Sequence, residues 1–218
     1  MNDYLLNAFA TLLVVIDPIG LAPIFLAVTR GADYQMRKAI AIRASIIAAA
    51  ILTAFVITGT TMLNFLGISL PAFRIAGGLL LFWIAFEMVF EKREKRKQAS
   101  AEQALQSERT EAARQHLSPD DLRSIAVFPL AIPLIAGPGA ISAAVLLAGQ
   151  ASDLVEKAIL IGVVLLLIGS CLLVFVAADR VDRWLGDTGR SVLTRLLGVI
   201  LAALAVQFVA DGVRAIMA

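Results

Sequence analysis

The chain has 218 residues, 60% of them hydrophobic, with 19 Lys and Arg against 17 Asp and Glu. A mean hydropathy of +0.87 and repeated long apolar runs exclude an ordinary soluble domain and indicate a polytopic membrane protein. One cysteine, Cys171, and one histidine, His116, leave disulfides, metal clusters and Cys or His catalysis poorly supplied, so neither a cofactor nor a metal is expected.

Six spans are predicted, and the first covers residues 5 to 29. The preceding Met1-Asn2-Asp3-Tyr4 carries no basic residue, so this segment reads as a retained span rather than a signal peptide. Its middle, in "LLVVIDPIGLAPIFLAV", holds Asp17, Pro18, Gly20 and Pro23. Pro18 and Pro23 lack N–H groups and clash with the preceding turn, while Gly20 permits angles that other residues avoid, so the helix should open near Asp17. Backbone groups freed at that depth need partners within protein or a water-lined cavity. A half-helix beginning near Pro18 would present its N-terminal N–H groups, with their partial positive charge, at the midplane. Asp17 itself costs about 2.5 to 3.5 kcal/mol at the centre of a span. It must therefore cap the new helix, bind a substrate ammonium, or carry a proton.

The second span, residues 44 to 66, carries Thr53, Thr58, Thr60, Thr61 and Asn64, which serve helix packing by default. The third, 71 to 90, contains Gly77-Gly78 for close helix approach and Glu87 near its end. Glu87 reads first as an acid reaching interfacial water or nearby basic residues, and second as a proton-coupling group beside Asp17. Residues 91 to 123 form a charged loop whose basic run, Lys92 to Lys97, fixes topology and meets anionic lipid. The interspersed Glu91 and Glu94 argue against nucleic acid.

The fourth span, 124 to 148, reads "VFPLAIPLIAGPGAISAAV" across its centre. Pro129 and Pro133 should bend the entering half. Gly137, Pro138 and Gly139 should part the chain, and Ser142 offers a hydroxyl expected within the first turn of a new half-helix. The fifth span, 158 to 178, holds Gly162, Gly169 and Cys171; the glycines read as bundle-packing positions and the cysteine as a small apolar filler. The sixth, 196 to 213, holds Gly198 and Gln207.

Sorting basic residues onto alternate sides puts 16 of the 19 with the central loop and leaves Arg74, Lys157 and Arg214 opposite. The positive-inside rule then places the central loop in the cytoplasm and both termini outside. Sliding the chain by about 120 residues lays Pro18 on Pro138, Leu66-Gly67 near Leu185-Gly186, and Arg74 on Arg195, the arginine that opens the third span of each half. The expected fold is an all-α membrane protein: six transmembrane helices in two inverted three-helix repeats, with helices 1 and 4 broken. Residues 1–90 form the first repeat, 91–123 the cytoplasmic loop and 124–218 the second repeat. A structural kink would explain one proline. Two breaks at matched depth, one with an acid, favour a substrate site built from Asp17, Pro18, Gly20, Gly137, Pro138, Gly139 and Ser142.

The segments "VVIDPIGLAPIFLAVT", "RIAGGLLLFWIAFEM", "PLAIPLIAGPGAIS" and "RLLGVILAALAVQFVADGVR" resemble the MarC family of bacterial inner-membrane proteins over essentially the whole chain. The resemblance implies distant kinship with LysE-type exporters and transport of small neutral amino acids such as glycine and alanine, with proton coupling. The two break motifs carry over at Asp17, Pro18 and Gly20 and at Gly137, Pro138 and Gly139. The expected partners are therefore a small neutral amino acid, a coupling proton and the lipid bilayer, with no nucleic acid; a homo-oligomer is compatible with this. A zwitterion suits the site, its carboxylate on half-helix N–H groups and its ammonium on Asp17. A carrier or exporter of another small solute or ion, and a non-transporting membrane protein, stay open as alternatives. An enzyme is not expected, because no nucleophile with a base appears at membrane depth.

Overall fold

The computed structural model describes residues 2–29, 32–90, 92, 93, 96, 97, 99 and 126–217. His116 and the rest of the central loop lie outside them. Every element among the described residues is helical: α1 (Asn2–Ile16), α2 (Ala22–Val28), α3 (Tyr34–Phe65), α4 (Leu70–Val89), α5 (Ala126–Ile135), α6 (Pro138–Ala148), α7 (Leu154–Val176) and α8 (Ala178–Met217). Four stretches are long and apolar enough to cross a membrane: Tyr34–Phe65, Leu70–Val89, Leu154–Val176 and Thr188–Met217. The predicted first and fourth spans each fall on two shorter helices, α1 with α2 and α5 with α6, so the two expected breaks are present.

Local chemistry sets the helix starts. The Asp33 carboxylate accepts the Met36 N–H at 2.8 Å and Asp153 accepts the Glu156 N–H at 2.8 Å, capping α3 and α7. Ser69 caps α4, with a proline in its first turn. These caps start α3 and α7 earlier than the predicted spans, because the helices project beyond the apolar segment. Gly67 (φ 70) ends the turn after α3, and Gly186 (φ 58) breaks α8 internally, conformations suited to glycine.

The broken helices sit in the middle. Ala8, Leu12, Val14, Val15 and Ile16 of α1 are buried, as is nearly all of α6 from Gly139 to Ala148. The four long helices surround them and turn Ile46, Ile57, Leu79, Trp83, Leu165, Leu166, Leu196 and Val199 outward, an apolar girdle suited to lipid. The most extensive pairing is α4 against α8, antiparallel along its length. A Cβ added at Gly78 would stand 2.9 Å from Ala205 O. One at Gly198 would stand 3.1 Å from Ala85 O, and one at Gly212 2.9 Å from Pro71 O. Small residues thus admit the opposing backbone, the expected source of cohesion where lipid competes for apolar contact.

Gly162 and Gly169 depart from expectation: an added Cβ there meets nothing within 4 Å among the described residues, so they pack against no described helix. The two classes of glycine predict opposite signs. Gly198→Ala should lower the thermal midpoint in detergent, at a cost of about 1–3 kcal/mol for overpacking. Gly162→Ala should raise it, by about 0.5–1 kcal/mol of helix propensity. Shifts of equal sign would contradict the packing described.

Each end of the bundle collects its own elements. At one, Tyr4 Oη donates to Leu147 O at 3.0 Å, tying the start of α1 to the end of α6. At the other, Arg37 of α3 pairs with Asp179 of α8 at 3.5 Å. The residues following α4 reach back there to the end of α1.

Candidate functional site

At the first break α1 winds regularly until Asp17, whose N–H donates to Leu13 O at 2.9 Å. The next donor would be Pro18, which has none, so Val14 O loses its partner. Asp17 takes φ 56, the left-handed region. That costs a non-glycine residue about 1–2 kcal/mol. Its own side chain offsets part of this: Oδ1 accepts the Gly20 N–H at 3.0 Å, closing a local turn. A Cβ on Gly20 would overlap that carboxylate, so a larger residue there would have to displace the Asp17 side chain from its turn. The new helix does not begin near Pro18 as expected. Residues 17–21 form the turn, and α2 starts at Ala22 with Pro23 in its first turn. With the left-handed Asp17 drawing the Gly20 N–H onto its own carboxylate, the chain needs a further turn before regular bonding resumes.

Asp17 is 4% exposed, and two residues beyond α4 answer its charge and the lost bonds. The Arg93 guanidinium, itself 8% exposed, donates to Val15 O through one nitrogen and to Val14 O at 3.4 Å through the other. It thereby replaces the donor Pro18 lacks and sets a cation at the negative end of α1. Lys97, one turn on, places Nζ 3.9 Å from Asp17 Oδ2 with only 14% of its side chain exposed. Sequence reasoning misses both residues because the positive-inside rule already accounts for them. Their i, i+4 spacing straight after a span, in a chain with a buried acid to neutralise, is the signal that could have found them.

The second break is simpler. The segment α5 is wound with i→i+5 bonds, ending with Ala136 N–H on Ala131 O at 2.9 Å. Gly137 then caps α6 in extended conformation, with Pro138 as its first residue. A Cβ at Gly137 would stand 2.5 Å from Pro133 O. Ser142 is the fifth residue of α6, half-buried in its second turn rather than its first, because Pro138 itself opens the helix. The breaks meet: a Cβ built on Gly139 would lie 3.3 Å from Val15 Cγ1 and against Ile84 of α4. Pro18 and Gly20 are buried, whereas Pro138 is exposed.

Glu87 meets a nearby basic residue, as expected, but is buried rather than solvated. It is 8% exposed, accepts the Trp83 indole N–H at 3.1 Å, and pairs with Arg96 at 2.9 Å, because the segment after α4 folds back over it. Burial pushes the Arg93 guanidinium below its ordinary pKa, and the charges of Asp17 and Glu87 oppose that shift. Cys171 is fully buried on α7, as a small apolar filler is. The site is therefore an opened helix end, one buried carboxylate and a basic segment that covers them. Thr58 and Gln207 bond within their own helices, as packing residues do.

Sequence comparison matches residues 2–217 to the family described as MarC family integral membrane protein. Similar chains include the UPF0056 membrane protein MJ1677 of Methanocaldococcus jannaschii, 36% identical over 212 residues that cover 97% of each chain. Another is the UPF0056 membrane protein YvbG of Bacillus subtilis, 34% identical over 215 residues, covering 98% of this chain and 96% of the other. A third is the UPF0056 membrane protein YhcE of Escherichia coli, 32% identical over 208 residues, covering 95% and 91%. No solved structure matches.

Proposed function

The chain belongs to the MarC family of integral membrane proteins, and from that premise we propose that it is a secondary transporter of small neutral amino acids of the glycine and alanine class. Transport is coupled to protons and runs by alternating access around the paired breaks. The observation that carries the reading is the meeting of the breaks: Val15 of the first lies against Gly139 of the second, beside a buried acid. Discontinuous helices facing each other inside a bundle are the usual construction of a midplane substrate site. The breaks are closely packed at Gly20, Gly137 and Gly139, so the natural guest is a compact zwitterion. Asp17 suits its ammonium and the α6 amides around Gly139 suit its carboxylate.

Inverted repeats underlie this mechanism, and four landmarks support them. Pro18 and Pro138 lie at the breaks, Asp33 and Asp153 cap α3 and α7 alike, Gly67 and Gly186 share positive φ, and Arg74 and Arg195 match in sequence. All four pairs are separated by about 120 residues, and α4 packs antiparallel on α8, its counterpart. The reading sets the protein in the bacterial inner membrane, with the 91–123 loop cytoplasmic and both termini outside. The grouping of Arg37, Asp179 and the residues after α4 at one end of the bundle supports that sidedness.

The hydrogen bond from Gly20 to Asp17 favours a second reading, a non-transporting membrane protein in which Asp17 is only a cap. Radiolabelled glycine and alanine exchange in proteoliposomes, with and without a pH gradient, separates the two. Saturable exchange competed by the unlabelled amino acid is the expected result, and its absence would leave the cap reading standing.

A further inference from the structure

We propose that the outward face of α4, at the end where the helix stops, is a discrete binding site for one anionic phospholipid. Lys92 and Arg96 hold its headgroup phosphate, and its acyl chain lies along Phe86, Phe82 and Leu79. The face begins as a sequence pattern: Trp83, Phe86 and Phe90 recur at intervals of three and four, so they share one side of the helix. All three are exposed, as are Phe82 and Leu79 on the same side. The ring centroids of Trp83 and Phe86 stand 6.0 Å apart and those of Phe86 and Phe90 4.5 Å apart, a continuous aromatic strip running to the helix end. Aromatic side chains in such a place lie at headgroup depth.

Two cations meet at this strip. Lys92 Nζ stands 5.9 Å from the centroid of the Phe86 ring. Arg96 Nη1 stands 2.9 Å from Glu87 Oε1, and the same oxygen accepts the Trp83 indole N–H. Because Trp83 stacks on Phe86, both cations touch one cluster of side chains, and a single phosphate can meet both. Charge decides the occupant. Among the described residues no carboxylate stands on Lys92, and an aromatic ring holds an exposed cation only weakly. Arg96 is 67% exposed in its side chain, so its planar fork is open to a second acceptor. An apolar strip below and surplus positive charge above match a lipid whose headgroup carries net negative charge.

The fold itself does not call for this face. At the offset that lays Arg74 on Arg195, Trp83, Phe86 and Phe90 fall on Leu204, Gln207 and Asp211 of α8, and Lys92 falls on Val213. There Gln207 bonds Asp211, with no aromatic strip and an acid where α4 has a ring. The site is therefore particular to α4, and it differs from the general attraction of a basic run to an anionic surface. It would serve a transporter and a non-transporting membrane protein alike, so its test is independent of exchange.

The chain has two tryptophans, Trp83 and Trp184, and Trp184 is 87% exposed. Full-length Trp184→Phe protein, reconstituted in phosphatidylcholine vesicles, then reports Trp83 alone. Brominated phosphatidylglycerol should quench its fluorescence with about fivefold higher apparent affinity than brominated phosphatidylcholine, the worth of one cation at a membrane surface. Lys92→Gln and Arg96→Gln should each lower that preference, and Lys92→Arg should keep it. Lys38→Gln, an exposed position beside Arg37 at the same end of the bundle but on α3, should leave it unchanged. Equal quenching by the two lipids overturns the site, as does a preference that survives either Lys92→Gln or Arg96→Gln. Equal loss in Lys38→Gln would reduce the effect to surface charge and overturn it too. Quenching by neither lipid would mean that protein, such as a second copy of the chain, covers the face, and would likewise overturn the proposal.

Discussion

Asp17→Asn is expected to reduce proton-coupled glycine or alanine exchange in proteoliposomes by about 10- to 100-fold, the size of one charged hydrogen bond. Asparagine keeps the geometry. Its carbonyl oxygen can still accept the Gly20 N–H, and asparagine is among the few residues that tolerate the φ of 56 found here. The substitution therefore removes charge and leaves the cap. Asp17→Ala removes both, and should in addition lower stability by about 0.5–2 kcal/mol, the usual worth of a capping side chain. If Asp17→Asn transports with undiminished coupling while Asp17→Ala unfolds, the carboxylate is a structural cap and its charge has no part in transport.

Arg93→Met is expected to be the most destabilising single change in the segment after α4, at about 2–6 kcal/mol. Two carbonyls lose their donors, and each unmet group costs about 1–3 kcal/mol. Methionine retains much of the apolar stem, so the loss reports the guanidinium rather than packing. Arg93→Lys should recover only part of it, because a single ammonium cannot fork between Val14 O and Val15 O. Thermal unfolding in detergent, monitored without regard to transport, measures both. Arg93→Met with wild-type stability would mean that water or another group satisfies the α1 end.

The broken helices were legible because their causes are local. Pro18 has no N–H wherever it stands, and Gly137-Pro138-Gly139 parts a helix by the same chemistry. The details of the breaks were less legible. Whether α2 opens at Pro18 or at Ala22 depends on Asp17 turning left-handed and taking the Gly20 N–H, a choice between two local bonding schemes of similar cost. The i→i+5 winding of α5 is likewise a bonding register that packing selects. Gly198 and Gly162 look alike in an apolar run, yet one meets a helix and the other meets nothing. Glu87 and Lys92 to Lys97 read as interfacial charge, and that rule is so general that it conceals any second role.

A membrane protein with two interrupted helices and one acid at a depth where acids are costly can be read from the residues alone, since transfer free energies and missing backbone donors belong to single residues. What answers them depends on packing between distant segments. Arg93 reaches Val14 and Val15 across 79 and 78 residues, and Lys97 reaches Asp17 across a similar span. No local pattern encodes such pairings, because they exist only once α4 has packed beside α1 and carried its basic end to the opened helix.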